Sequence, residues 1–198
     1  MISAGLWHKD VSPRMLHILS ISGSLRASSS NTTLLRAAEG LCPSGVVMER
    51  YMGLAQLPHF NPDLLHAIPP AVLELYKRIK RSDCLLISCP EYARGIPGAF
   101  KNMLDWLVGF ESFPGMLLAL YNASARASDA QRALRLVLET MSAVIVEPAC
   151  VTVNLLGSST SAEAIVRNES FSLAIQSSLE EIKTHIFSCG RKASETLD

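Results

Sequence analysis

The chain has 198 residues, nearly half of them apolar, and eighteen basic side chains balance eighteen acidic ones. That length fits one domain with a large core, and the apolar share excludes an intrinsically disordered protein. Zero net charge excludes a global field that would gather nucleic acid or an anionic membrane surface, so any anion site must be local.

No run of about 18 apolar residues is available to span a bilayer. Five cysteines, Cys42, Cys84, Cys89, Cys150 and Cys189, are scattered without CxxC spacing and read as mostly buried thiols of a reducing compartment. The segment Met1 to Pro13 has too little apolar length for a signal peptide, so residues 1–14 read as an N-terminal extension. Three Asn-x-Ser/Thr triplets, at Asn31, Asn122 and Asn168, are then chance matches, and the expected location is cytoplasmic.

In chain order, Met15 to Ile21 is a short apolar run that reads as a buried strand entering a loop at Ser22-Gly23-Ser24. After Asn31 the period changes, with Leu34, Leu35, Ala38 and Leu41 on one helical face and Cys42-Pro43 closing it. Val46 to Arg50 is the next strand, followed by a long connection punctuated by Pro58, Pro62, Pro69 and Pro70. Val72, Leu75, Tyr76 and Ile79 mark a second helix, and Cys84 to Ser88 a central strand ended by Cys89-Pro90. From Gly98 the pattern is helical, with Phe100, Met103, Leu104 and Leu107 inward, and Met116 to Tyr121 is the fourth strand. Ala130, Ala133, Leu134, Val137 and Met141 mark the fourth helix. Val144 to Val146 and Val151 to Val153 form a final strand interrupted at Pro148. An amphipathic helix with Phe171, Ile175, Leu179, Ile182 and Ile186 on one face comes last.

This strict alternation, without repeats or a composition break, predicts one α/β domain over residues 15–190 and a tail over 191–198. A five-stranded parallel sheet in the order 2-1-3-4-5, with helices on both faces, makes a three-layer sandwich. Ligands in such sheets bind beyond the carboxyl ends of the strands, so the loops after Ile21, Ser88 and Tyr121 are the ones to inspect.

The first loop, Ser22 to Thr33, crowds hydroxyls beside Arg26 at a helix N-terminus, where free N–H groups favour a phosphate. The plainer alternative is a Ser/Thr-rich loop with an ordinary cap at Ser30 or Asn31. It is neither a Walker loop nor Gly-x-Gly-x-x-Gly, which disfavours ATP and a Rossmann-bound dinucleotide. The second loop, Pro90 to Gly98, is stiffened by proline and glycine and starts a helix at Pro97 or Gly98; its aromatic and exposed amides suit a planar ring. Here the alternative is a rigid turn in which Tyr92 is merely packed.

Together, Gly23-Ser-Leu-Arg-x-x-Ser-x-Asn31 and Pro90-Glu-Tyr-x-x-x-Ile-Pro-Gly-x-x-Lys-Asn-x-x-Asp-Trp106 resemble the NADPH-dependent FMN reductase family, which includes quinone and chromate reductases. Leu57-Pro-His-Phe-Asn-Pro-Asp63 resembles the family's segment after the second strand, and the likeness spans about residues 15–188. The resemblance implies a flavodoxin-like fold and FMN as cofactor, with NADPH or NADH as donor and a small acceptor such as a quinone or free flavin. It places Ser24, Arg26, Ser29, Asn31 and Thr32 around the FMN phosphate. Pro90, Glu91, Tyr92 and Ala93 are placed along the isoalloxazine, largely through backbone atoms. Lys101, Asn102, Asp105 and Trp106 are read as holding the third helix in place. The family likeness also suggests a homodimer or homotetramer.

Two departures stand out. The third loop, Asn122 to Asp129, has no glycine where the family has a glycine-rich run, and only Ser124 is carried over to the flavin site. Residue 93 is alanine where asparagine is common. Arg126 is either a solvated side chain or a contact for a nicotinamide nucleotide phosphate. No side chain is required as nucleophile or obligatory acid, and no metal is expected, because the five histidines lack ligand spacing. Gly23-Ser24 is not a Gly-x-Ser-x-Gly elbow, and Glu180-Glu181 reads as a solvated face. The alternatives are a flavodoxin-like electron carrier, which the neutral charge disfavours, and a flavin-free binding or regulatory relative.

Overall fold

Six short strands form one parallel sheet in the computed structural model, which describes residues 14–155 and 161–195, with side chains through Ser188. Most of the N-terminal extension, the Cys189 side chain and the side chains of the C-terminal tail lie outside the described residues. The strands are β1 (Leu16–Ser22), β2 (Val46–Tyr51), β3 (Cys84–Ser88), β4 (Leu117–Asn122), β5 (Val144–Ile145) and β6 (Val151–Thr152). Their order is β2-β1-β3-β4-β5, as expected, with β6 also pairing β4. Between and after them run α1 (Ser30–Gly40), α2 (Pro70–Arg81), α3 (Gly98–Leu107), α4 (Ser128–Thr140), α5 (Ala162–Arg167) and α6 (Glu169–Glu195).

All five residues of β3 are buried. A strand covered by helices on both faces has no solvent side, hence its unbroken apolar run. The period of two sorts the sheet into two cores. One holds Leu16, Ile18, Val46, Leu86, Ala119 and Tyr121 under α1, α5 and α6; the other holds Leu19, Ile21, Leu85, Ile87, Leu118 and Leu120 under α2, α3 and α4. Each fully buried leucine or isoleucine contributes roughly 1.5–3 kcal/mol. In the first core the Tyr121 hydroxyl donates to Ser178 Oγ at 2.9 Å, and Ser178 donates to the Ala149 carbonyl at 2.6 Å.

The last strand departs from expectation. Val144–Ile145 pairs Leu117–Leu118, whereas Val151–Thr152 pairs Tyr121–Asn122, so two separate strands serve two ends of β4. Pro148 cannot donate to a ladder, and the chain leaves the sheet there through a 3-10 turn at Glu147–Ala149. The closing helix is likewise preceded by an extra one. Ser161 caps α5, and Asn168 then leaves the helical conformation and accepts from Phe171 N at 3.0 Å to start α6. On α4 the buried stripe is Ala130, Leu134 and Leu138; Ala133 and Val137 lie at its margin.

The connection between β2 and α2 is pinned from α3. Asn102 Nδ2 and Trp106 Nε1 both donate to the Pro58 carbonyl, at 2.9 and 2.8 Å, while Asn102 Oδ1 accepts from Phe60 N at 2.7 Å. Phe60 meets the Trp106 ring edge-on at 5.1 Å. The Asn102 and Trp106 of the second motif are therefore structural, as expected, but what they hold is the connection rather than the helix alone.

Candidate functional site

Register brings the three loops together. Ser22 pairs with Ser88, and Ser88 with Tyr121, so β1, β3 and β4 release their loops side by side at one level. Adjacent strands lie about 4.8 Å apart, and the loops between them share one crevice.

The first two loops touch through Gly23. Its N–H donates to the Ser88 carbonyl at 2.8 Å. A Cβ there would lie 2.8 Å from Cys89 Sγ, 3.1 Å from Cys89 Cα and 3.2 Å from Pro90 Cδ. Burial of Cys89 pushes its thiol up to about 12, so this sulfur packs as a neutral group beneath the junction.

Above it, α1 begins at Ser30 with Ser29 as the N-cap, one residue earlier than the sequence suggested. Ser29 is buried, and its hydroxyl accepts from Thr32 N at 3.5 Å, so it shapes the helix end. Asn31 is also buried; its Oδ1 accepts from Ser88 Oγ at 2.8 Å and ties α1 to β3. Thr32 Oγ1 donates to Ser22 Oγ at 2.9 Å, and Ser22 Oγ accepts from Ser24 N at 3.3 Å. Ser24 Oγ accepts from Arg26 N at 3.3 Å. The first turn of α1 carries no acidic residue, and the exposed Arg26 makes no ion pair among the described residues. Both leave the positive end of the helix uncompensated.

The second loop folds back as a two-residue turn. Tyr92 N donates to the Gly95 carbonyl at 3.1 Å and Gly95 N to the Tyr92 carbonyl at 3.0 Å, with Ala93 and Arg94 between them at φ 49° and 62°. Two consecutive left-handed residues are the signature of a type I′ turn, which asparagine and glycine enter at least cost. The Ala93 and Arg94 N–H groups stay outside this pairing. Tyr92 is 47 % exposed, and its hydroxyl lies 3.4 Å from Ser24 Oγ, joining the turn to the first loop. Pro90 is partly buried against Gly23.

Glu91 turns the other way. Its Oε2 accepts from Asp129 N and Ala130 N, both at 2.9 Å, and so caps the N-terminus of α4. Only the Glu91 backbone is left to face the crevice. Arg94 also reaches toward α4, 3.9 Å from Asp129 Oδ2.

The third loop replaces glycine with side-chain turns. Asn122 Oδ1 accepts from Ser124 N at 3.1 Å, Ser124 Oγ from Arg126 N at 3.2 Å, and the Ser124 carbonyl from Ala127 N at 3.1 Å. None of its residues has positive φ, so this route does not need the freedom that glycine provides.

The residues that sequence reasoning missed are Ser22, Gly23 as a contact, and Ser88. A serine ending each of two apolar strands was the available signal. Among the described residues no His, Cys, Asp or Glu cluster is arranged to hold a metal, and no helix is long and apolar enough to cross a membrane.

The crevice fits a flat ring carrying a phosphate: a helix end, hydroxyls and an unpaired guanidinium on one side, and an exposed aromatic with free amides on the other. Comparison with known proteins agrees. An NAD(P)H-dependent FMN reductase of Pseudomonas aeruginosa is 36 % identical over 113 residues, 56 % of this chain and 60 % of that protein. An NAD(P)H:quinone oxidoreductase of Solanum tuberosum is 38 % identical over 96 residues, 46 % of this chain and 50 % of that protein. The match thus spans little more than half the length of these curated relatives. Among solved structures, the flavoenzyme NAD(P)H:(acceptor) oxidoreductase FerB of Paracoccus denitrificans superposes with a TM-score of 0.68 at 26 % identity, covering 86 % of this chain and 99 % of that one. The sequence profile of the NADPH-dependent FMN reductases matches residues 16–155, which include all three loops. The chain therefore belongs to the NADPH-dependent FMN reductase family.

Proposed function

We propose that residues 15–190 form a single FMN-binding domain, a cytoplasmic reductase that passes electrons from NADPH or NADH to a small acceptor such as a quinone or free flavin. The observation that carries this reading is the contact of Gly23 with Cys89 and Pro90, which sets a phosphate-ready helix end against an exposed aromatic turn. Family membership and the flavoenzyme relatives support it. Bound in the crevice, FMN supplies the two-electron exchange between nicotinamide and acceptor.

The chain's own residues bind and orient. Ser24, Thr32 and Arg26 face the phosphate, with the α1 N–H groups behind them. Ser29 and Asn31 hold that end in shape, one as helix cap and the other through Ser88. Backbone amides at Pro90–Ala93 and the Ser124 loop border the ring. The Tyr92 hydroxyl, beside Ser24, anchors the turn to the cradle. One crevice serves donor and acceptor in turn, and no side chain is required to form a covalent bond. The domain works as a homodimer or homotetramer.

Anaerobic addition of NADPH or NADH to the FMN-loaded protein should bleach the visible flavin bands within one turnover, and a benzoquinone should restore them. Bands that persist under excess reduced nucleotide would overturn the reductase reading while leaving the flavin site intact.

A further inference from the structure

Three arginines gather where the second and third loops meet the start of α4. Arg94 sits in the second-loop turn, Arg126 lies exposed in the third loop, and Arg132 stands on the helix itself. The carboxylates beside them are already committed. Glu91 accepts from Asp129 N and Ala130 N, both at 2.9 Å, and Asp129 is held by Arg132 at 2.6 Å. Arg94 is left 3.9 Å from Asp129 with its side chain 88 % exposed, and Arg126 makes no ion pair among the described residues. Two guanidiniums are thus spare at this rim, in a chain whose net charge is zero. The Arg94 backbone is a second, separate observation. It holds φ 62°, which costs an L residue about 1–2 kcal/mol, yet its side chain makes no close contact in return. Such outliers concentrate at ligand clamps.

Position narrows the occupant. Tyr92 reaches from the second loop toward the phosphate cradle, its hydroxyl 3.4 Å from Ser24 Oγ, whereas Arg94 reaches from the same loop toward α4. The ring platform therefore has cationic groups on two sides, and FMN carries one phosphate. We infer that Arg94 and Arg126 clamp the 2′-phosphate of NADPH and so make NADPH, rather than NADH, the preferred donor. A phosphate monoester carries a charge of about −1.5 to −2 at pH 7 and accepts from two guanidiniums at once, through forked charge-assisted hydrogen bonds. The hydroxyl that NADH has in its place offers no charge. Asp129 is the carboxylate that stands nearest to Arg94, and Arg132 neutralises it, so its repulsion of the phosphate is small. This assignment rests on the reductase reading proposed above and names the donor of that same site.

Calorimetric titration of NADP+ and of NAD+ into the FMN-loaded protein tests this, with kcat/KM for NADPH and NADH measured alongside. The wild type should favour the phosphorylated nucleotide by about tenfold or more in both readouts, the scale of one or two charge-assisted contacts. That ratio should shrink as salt is raised, because the rim is exposed. Arg94→Gln and, separately, Arg126→Gln should each cut the ratio by about threefold or more, and the double variant should bring it close to one. Arg81→Gln removes an exposed charge at the opposite ends of the strands and should leave the ratio unchanged. A wild type that treats the two nucleotides alike, or a preference that survives the double variant, would overturn the clamp. If the flavin still bleaches with either donor, the reductase reading stands without it. Flavin bands that persist under both reduced nucleotides would overturn that reading, and the clamp with it.

Discussion

At Gly23, the 2.8–3.2 Å approaches to Cys89 and Pro90 make a single methyl group decisive. Two of the three are to Cys89 Cα and the Pro90 ring, which cannot rotate away, so the loops themselves must part. Gly23→Ala should cost about 1–3 kcal/mol of stability, as overpacking does. It should also weaken FMN binding by at least about tenfold, read by flavin fluorescence titration. The turn after Tyr92 gives the opposite sign. Arg94 holds φ 62° although its side chain is 88 % exposed and only 3.9 Å from Asp129. An L residue pays about 1–2 kcal/mol for the left-handed region, partly offset by the greater unfolded-state freedom of glycine. Arg94→Gly should therefore raise stability by about 0.5–1 kcal/mol, measured by urea unfolding; a loss of stability would refute the strain argument. Gly23 stood in the first quoted motif, and Arg94 fell at an unspecified position of the second. Their contacts were not legible, because proximity across two loops and the sign of φ follow from strand register.

Among the elements, the helical and strand periods placed every major strand and helix, since burial on one face or both leaves a period that can be counted. The exceptions have local causes: Pro148 divides the last strand, and Ser161 and Asn168 cap a short extra helix ahead of the closing one. Leu138 was overlooked on α4, although it lies one turn from the named Leu134 and is fully buried. Asn102 shows where a motif residue serves the fold. Asn102→Leu removes the donor to the Pro58 carbonyl and leaves Phe60 N without its 2.7 Å acceptor. The expected cost is about 2 kcal/mol in chemical denaturation, with bound FMN retained in the folded fraction. Glu91 carries more than its motif announced: the resemblance assigns largely its backbone to the ring, and its carboxylate closes the end of α4.

Across the whole molecule, the buried acids set an alkaline limit. Burial pushes Cys42 from 9.0 to about 11, Cys89 from 9.0 to about 12 and Tyr51 from 10.0 to about 12, and it moves Cys84 and Tyr121 upward as well. The folded state keeps these protons after the unfolded chain has lost them. Their contribution is thus complete below pH 9 and is lost as pH rises toward 12. Unfolding free energy should fall above pH 9 by about 1.4 kcal/mol per pH unit for a group as buried as Cys89, and a flat profile between pH 8 and 11 would contradict this. The central claim is that the crevice recognises a flavin by its phosphate, and comparing FMN with riboflavin binding by fluorescence titration tests it most directly. FMN should bind about 100-fold more tightly, with most of the difference lost in Arg26→Ala, because charge-assisted contacts at a helix end are made to the phosphate alone. Equal affinity for the two flavins would show that the first loop is not a phosphate cradle.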